Sequence, residues 1–109
     1  MNTELLLKAL GEPMRLNILL LLLERKHCVR SLSKKLSISE PAVSQHLKVL
    51  RSCGLVCGER FGHHTHYLPQ QSALDHLSAF FSLLQQRSAA LDRTTKACNC
   101  EFRKEPQAK

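Results

Sequence analysis

At 109 residues the chain has room for one small domain and not two, since domains typically run to about 100–150 residues. A composition 43% hydrophobic and 23% charged is ordinary globular make-up and excludes wholesale disorder. Sixteen Lys and Arg against nine Asp and Glu leave a net charge of +7, which favours a polyanionic partner over an acidic surface function.

The chain opens with a short helix from Thr3 as N-cap to Leu10, stopped at Gly11. Pro13 suits the first turn of a second helix reaching about Leu23, whose expected buried stripe is Leu16, Leu19, Leu20 and Leu23. After the polar break Glu24–His27, a third helix runs from about Val29 to Leu36 and buries Leu32 and Leu36. Ser37-Ile38-Ser39 is a tight polar turn with one apolar anchor. Ser39 then caps a fourth helix, Glu40 to about Ser52, with Pro41 in the first turn and Gly54 as its stop. That helix buries Val43, Leu47 and Leu50, and turns Glu40, Ser44, Gln45 and Lys48 outward. Two helices across so short a turn, the second polar-faced, make a helix-turn-helix.

Residues 55–61 and 65–68 read as a β-hairpin around the basic turn Gly62-His63-His64, ended by Pro69. A last helix of about 20 residues follows, with Ser72 as its expected cap. Leu74, Leu77, Phe81, Leu84 and Leu91 step along it in threes and fours, a near-heptad seam that suits packing against a partner. The expected organisation is a winged helix-turn-helix and dimerisation domain over 1–95 and a flexible cysteine-containing tail over 96–109. The fold class is mainly α with a small β-hairpin wing, homodimeric. No internal repeat or low-complexity tract interrupts it.

Charge and cysteines sharpen this outline. Between Arg25 and His66 lie eight basic and two acidic residues, net +6, with five of the six histidines. A field so concentrated is the electrostatic footprint of a nucleic-acid binder. The five cysteines, Cys28, Cys53, Cys57, Cys98 and Cys100, are odd in number, and no secretory signal opens the chain, so a disulfide framework is not expected. The longest apolar run, Ile18–Leu23, is far short of the roughly 20 residues that cross a bilayer. A cytoplasmic protein without a membrane partner is expected. No nucleophile–base pairing, phosphate loop or paired-carboxylate motif is present, which argues against an enzyme.

The stretch Leu10-Gly11-Glu12-Pro13-Met14-Arg15-Leu16-Asn17-Ile18-Leu19 resembles the opening signature of the ArsR/SmtB family of bacterial metal-responsive repressors. Ser39-Glu40-Pro41-Ala42-Val43-Ser44-Gln45-His46-Leu47-Lys48-Val49-Leu50 resembles that family's recognition helix, and Gly54-Leu55-Val56 its exit into the wing. The resemblance covers roughly residues 5–90. It implies a dimer on palindromic double-stranded operator DNA, recognition helices in successive major grooves, wings over flanking DNA, and release by an inducer. By position it makes Ser44 and Gln45 base- and phosphate-contacting residues, with Glu40 and Pro41 at the helix start. Chemically, Lys48 and Arg60 suit phosphates, and His63 and His64 lie at the wing turn. His46 faces the hydrophobic side and reads as structural.

The family's third-helix site carries a Cys-x-Cys pair, but Cys28-Val29-Arg30 supplies one thiol. The closing-helix zinc site requires an acid two residues before His76, where Leu74 stands, and later ligands where Arg87 and Ala90 stand. In the cadmium/lead branch a cysteine stands where Cys53 does, paired one turn earlier with another, here Val49, and with a tail thiol. The resemblance therefore implies a soft-ion site drawn from Cys53, Cys98 and Cys100, with Cys57 and Cys28 as second choices. Sulfur ligands suit As(III), Sb(III), Cd(II) or Pb(II) as the inducer, with no organic cofactor. Two alternatives stay open: a redox- or persulfide-responsive repressor of the same fold, and a constitutive DNA-architectural protein without inducer.

Overall fold

The computed structural model describes residues 1–94 and Cys98. Their order is α1 (Thr3–Leu10), α2 (Pro13–Glu24), α3 (Val29–Leu36), α4 (Glu40–Ser52), β1 (Val56–Phe61), β2 (His64–Pro69) and α5 (Gln71–Ala90). This is the expected winged helix-turn-helix, with one antiparallel hairpin as the wing.

Local chemistry sets each helix start. Asn2, one residue before the expected Thr3, caps α1 by accepting the Leu5 N–H at 3.0 Å. Glu12 caps α2 through the Arg15 N–H at 2.9 Å, and Ser39 caps α4 through the Ala42 N–H at 3.2 Å. An amide or carboxyl oxygen serves a free helix N–H as well as a hydroxyl does. At the α3–α4 turn, Ser37 takes the left-handed conformation at φ 57. Ser33 Oγ donates to the Ile38 carbonyl at 2.5 Å, which fixes the turn. α5 begins at Gln71, with Gln70 as cap residue, so Ser72 lies inside the helix and is not its cap.

The core is one cluster: Leu6 and Ala9 of α1, Ile18, Leu19 and Leu22 of α2, Leu32 of α3, Val43, Leu47 and Leu50 of α4, then Leu55, Val56, Ala73 and Leu77. Each fully buried Leu or Ile contributes about 1.5–3 kcal/mol. The expected α2 stripe is overturned in three of four positions. Leu19 is buried, but Leu16, Leu20 and Leu23 are exposed, Leu20 by 50% and Leu23 by 54%. The run Ile18–Leu23 is apolar on every face, so its period carries no orientation, and packing against α1, α4 and β2 selects Ile18, Leu19 and Leu22. The α5 seam is likewise divided. Leu77 is buried and Leu74 packs against the core, whereas Phe81, Leu84 and Leu91 stand exposed.

The wing is anchored at its base. His27, between α2 and α3, exchanges backbone hydrogen bonds with Tyr67, receiving one at 2.8 Å and giving one at 3.3 Å. At the tip Phe61 pairs with His64, so Gly62 and His63 alone form the loop, one residue shorter than expected. Gly62 holds φ 60 there, a region open to glycine. At Gly58 a Cβ would meet Thr65 Cγ2 at 2.9 Å, so the strands close only over a residue without a side chain.

Candidate nucleic-acid interface

α4 is two-faced because its apolar residues recur at helical spacing and its polar residues fill the gaps. Val43, Leu47 and Leu50 are buried, while Glu40, Pro41, Ser44, Gln45 and Lys48 are all exposed. Ser44, Lys48 and Arg51 line one shallow hollow, where a hydroxyl and two cations follow the helix axis at i, i+4 and i+7. Among the described residues the side chains of Ser44, Gln45 and Lys48 make no hydrogen bond that would have to break on binding. His46 faces inward as expected, its Nδ1 3.6 Å from Glu12 Oε2. That pair ties α4 to the start of α2. Glu12 is held below the usual carboxylate range, first by the Arg15 N–H it accepts and then by Met14 N–H, His46 and Arg15.

The wing meets the helix-turn-helix across a cavity of about 540 Å³ lined by Cys28, Arg30, Glu40, His63, His64 and Thr65, among others. Three expected contact residues, Glu40, His63 and His64, thus share one concave surface. Arg30 joins them, a residue that the basic window contained but no motif singled out. Arg60 is exposed on β1. Its neighbour Glu59 is offset by Lys26, whose Nζ lies 3.5 Å from the carboxylate and 4.2 Å above the Phe61 ring. With Lys26 beside it, Arg60 is not the only cation facing the wing's single carboxylate.

The described thiols lie on separate elements. Cys28 is the cap residue of α3 and makes no side-chain cap bond. Cys53 ends α4, half-buried, and its Sγ donates to the Leu50 carbonyl at 3.4 Å. Cys57 is half-buried on β1, and Cys98 is exposed. Cys100 and the rest of the expected 96–109 tail, Cys98 apart, lie outside the described residues. Among the described residues no three His, Cys, Asp or Glu side chains stand together as a metal cluster. His76, the one residue that matched the closing-helix zinc pattern, lies 2.7 Å from Thr3 Oγ1 through its Nε2 and joins α5 to α1. Among the described residues no helix is long and apolar enough to cross a membrane.

Comparison with known proteins agrees with this geometry. Residues 12–57, from the cap of α2 to the start of the wing, match the family described as "Bacterial regulatory protein, arsR family". The HTH-type transcriptional repressor SmtB of Mycobacterium tuberculosis is 43% identical over 72 residues, 66% of this chain and 53% of that protein. The chain thus spans about half the length of the curated relatives it matches. The structure of reduced HlyU from Vibrio cholerae is 35% identical with a TM-score of 0.60, over 72% of this chain and 84% of that one. The homodimeric winged helix-turn-helix DNA-binding domain of a possible ArsR-family regulator from Mycobacterium bovis aligns over 87% of this chain and 86% of its own, at 25% identity and a TM-score of 0.62. By motif, fold and relatives together, the chain belongs to the ArsR/SmtB family of DNA-binding transcriptional regulators, not to a family of enzymes.

Proposed function

We propose that the chain is a homodimeric cytoplasmic repressor that binds palindromic operator DNA and leaves it when an inducer occupies cysteine thiolates. The observation that carries the DNA reading is the two-faced α4, locked to the core by Val43, Leu47 and Leu50 and offering Ser44, Gln45 and Lys48 to solvent. Ser44 and Gln45 are short polar groups that reach base edges in a major groove. Lys48, Arg60, His63 and His64 serve the phosphates alongside. A dimer sets two such helices about 34 Å apart, one turn of DNA. The homodimeric M. bovis domain supports that assembly, as does the exposed apolar half of α5. Glu40, at the helix start beside His63 and His64, accepts a hydrogen bond from a cytosine N4 amine in this reading.

For the inducer, Cys53 is the thiol of choice because it sits at the joint of recognition helix and wing. Cys98 and Cys100 complete a three-thiolate site from the tail. Such a donor set takes As(III), Sb(III), Cd(II) or Pb(II), and binding releases protons, so affinity rises with pH through the thiol range. Anchoring that joint to the tail shifts α4 relative to its twin, and a coupling of about 1–3 kcal/mol changes operator affinity by roughly 5–150-fold. The decisive experiment titrates the operator complex with As(III), Cd(II), Pb(II), Zn(II) and peroxide in parallel. A soft ion releases wild-type protein, whereas Cys53→Ser and the double variant Cys98→Ser/Cys100→Ser stay bound. Release by peroxide alone moves the signal to thiol oxidation, a reading favoured by the likeness to an HlyU structure described as reduced. Release of the tail double variant by every metal places the site elsewhere, with Cys28 and Cys57 next.

A further inference from the structure

A second cavity, of about 340 Å³, opens between α1 and the end of α4; its walls include Leu5, Ala9, Val49, Lys8, Arg15 and Cys53. It is at the small end of ligand sites, which run to roughly 300–1,000 Å³. Leu5, Ala9 and Val49 make an apolar floor, and every charged residue in the lining is a cation. The C-terminal ends of α1 and α4 frame it, and Arg15 sets its positive charge directly against two of the carbonyls there. Arg15 Nε donates to the Ala9 carbonyl at 2.7 Å and its Nη2 to that of Lys8 at 3.4 Å. The Gly11 N–H takes Leu7 O at 2.9 Å, and the Cys53 and Leu55 N–H groups take Val49 O and Leu50 O at 3.3 and 2.9 Å. The Cys53 thiol is turned to the Leu50 carbonyl. Lys8 Nζ, by contrast, has no hydrogen bond or ion pair among the described residues.

We propose that this cavity binds a small amphiphilic anion, a carboxylate with a short apolar body, its chain on Leu5, Ala9 and Val49 and its charge toward Lys8 and Arg15. A concave apolar surface with a few convergent polar groups of one sign is the usual form of a small-molecule site. The occupant touches both α1 and the last turn of α4, so it acts as a wedge at the helix that carries Ser44 and Gln45. That consequence for DNA rests on the proposed function. The binding itself does not, and although Cys53 lines both, it differs from the thiolate site in using no sulfur bond.

The test uses the full chain without DNA and three probes of one length: octanoate, octan-1-ol and octylammonium, measured calorimetrically at fixed ionic strength. Octanoate binds best, octanol roughly threefold more weakly for want of the exposed charge pairing, and octylammonium most weakly. Val49→Phe, at a position exposed enough to accept the larger ring, fills the apolar floor and lowers octanoate affinity by roughly tenfold. Lys8→Gln narrows the gap between octanoate and octanol. The double variant Cys98→Ser/Cys100→Ser keeps octanoate binding while losing the metal response, which separates this site from the thiolate site. In the wild type octanoate slows alkylation of Cys53 by iodoacetamide. No octanoate binding, equal binding of all three probes, or unchanged octanoate binding in Val49→Phe overturns the proposal.

Discussion

α4 and α5 both leave one face in water, and the two faces differ in kind. The outer face of α4 is Glu40, Ser44, Gln45 and Lys48, groups that water solvates well. The outer half of α5 shows Phe81, Leu83 and Leu84, each more than two-fifths exposed. α2 adds Leu20 and Leu23 to the apolar side of the comparison. A polar face is stable as it stands and waits for a partner that replaces its water, as a nucleic-acid groove does. An apolar face loses free energy for every Å² left wet, about 25 cal/mol, and marks a surface that another protein surface covers. Exposure therefore means opposite things on the two helices.

Charge placed on the outer half of α5 gives it the kind of face α4 has. Phe81→Asp with Leu84→Asp leaves helix content intact, because neither side chain is buried in its own core. Sedimentation then finds a monomer, and operator affinity falls to the non-specific level, a drop of roughly 10³-fold or more. A dimer that survives both aspartates shows that the apolar half of α5 is not the two-fold interface.

The same contrast can be drawn within α2. Ile18→Ala removes a fully buried side chain and lowers stability by about 2–5 kcal/mol in urea unfolding. Leu20→Ala, two residues on, changes monomer stability by about 0.5 kcal/mol or less. If Leu20→Ala matches Ile18→Ala only at protein concentrations that favour the dimer, α2 belongs to the interface too.

How much was legible in the sequence follows from this pair. On α4 the apolar and polar residues alternate at helical period, so burial of Val43, Leu47 and Leu50, and exposure of Ser44 and Gln45, could be read directly. On α2 the run Ile18–Leu23 offered six apolar residues and no period, and only tertiary contacts choose among them. Two expected caps differ from the structure: at α1 the Asn2 amide oxygen serves in place of the Thr3 hydroxyl beside it, and α5 starts at Gln71 without a side-chain cap, one residue ahead of Ser72. Arg30 went unremarked as a site residue because its place beside Glu40 and the wing histidines is a matter of topology, not spacing.

On the polar side, single substitutions sort contacts that read bases from contacts that hold phosphates. Gln45→Ala weakens operator binding by about 1–3 kcal/mol and random DNA hardly at all. Lys48→Ala weakens both alike and lowers the slope of affinity against salt by about one unit. Equal losses on both DNAs for Gln45→Ala remove its base contact from the mechanism.

The smallest expected effect tests how the polar region is held to the core. His27 is 6% exposed, its Nδ1 lies 2.7 Å from Ser31 Oγ, and its backbone grips Tyr67 at the wing base. Burial pushes its pKa below the ordinary 6.5, helped by Arg25 and Lys35 and opposed by Glu24. The unfolded chain thus takes up a proton at His27 before the folded chain does. Stability from neutral His27 is fully present above about pH 6.5 and is lost as pH falls through the lower folded value. Glu12, also depressed, acts in a separate window below its ordinary 4.5. Thermal unfolding from pH 8 to pH 5 therefore shows a falling Tm in the wild type and a shallower fall in His27→Gln. Slowed hydrogen exchange at the Tyr67 amide, which bonds to the His27 carbonyl, is lost over the same range in the wild type. Parallel curves for wild type and variant remove His27 from the acid sensitivity and leave the base of the wing indifferent to pH.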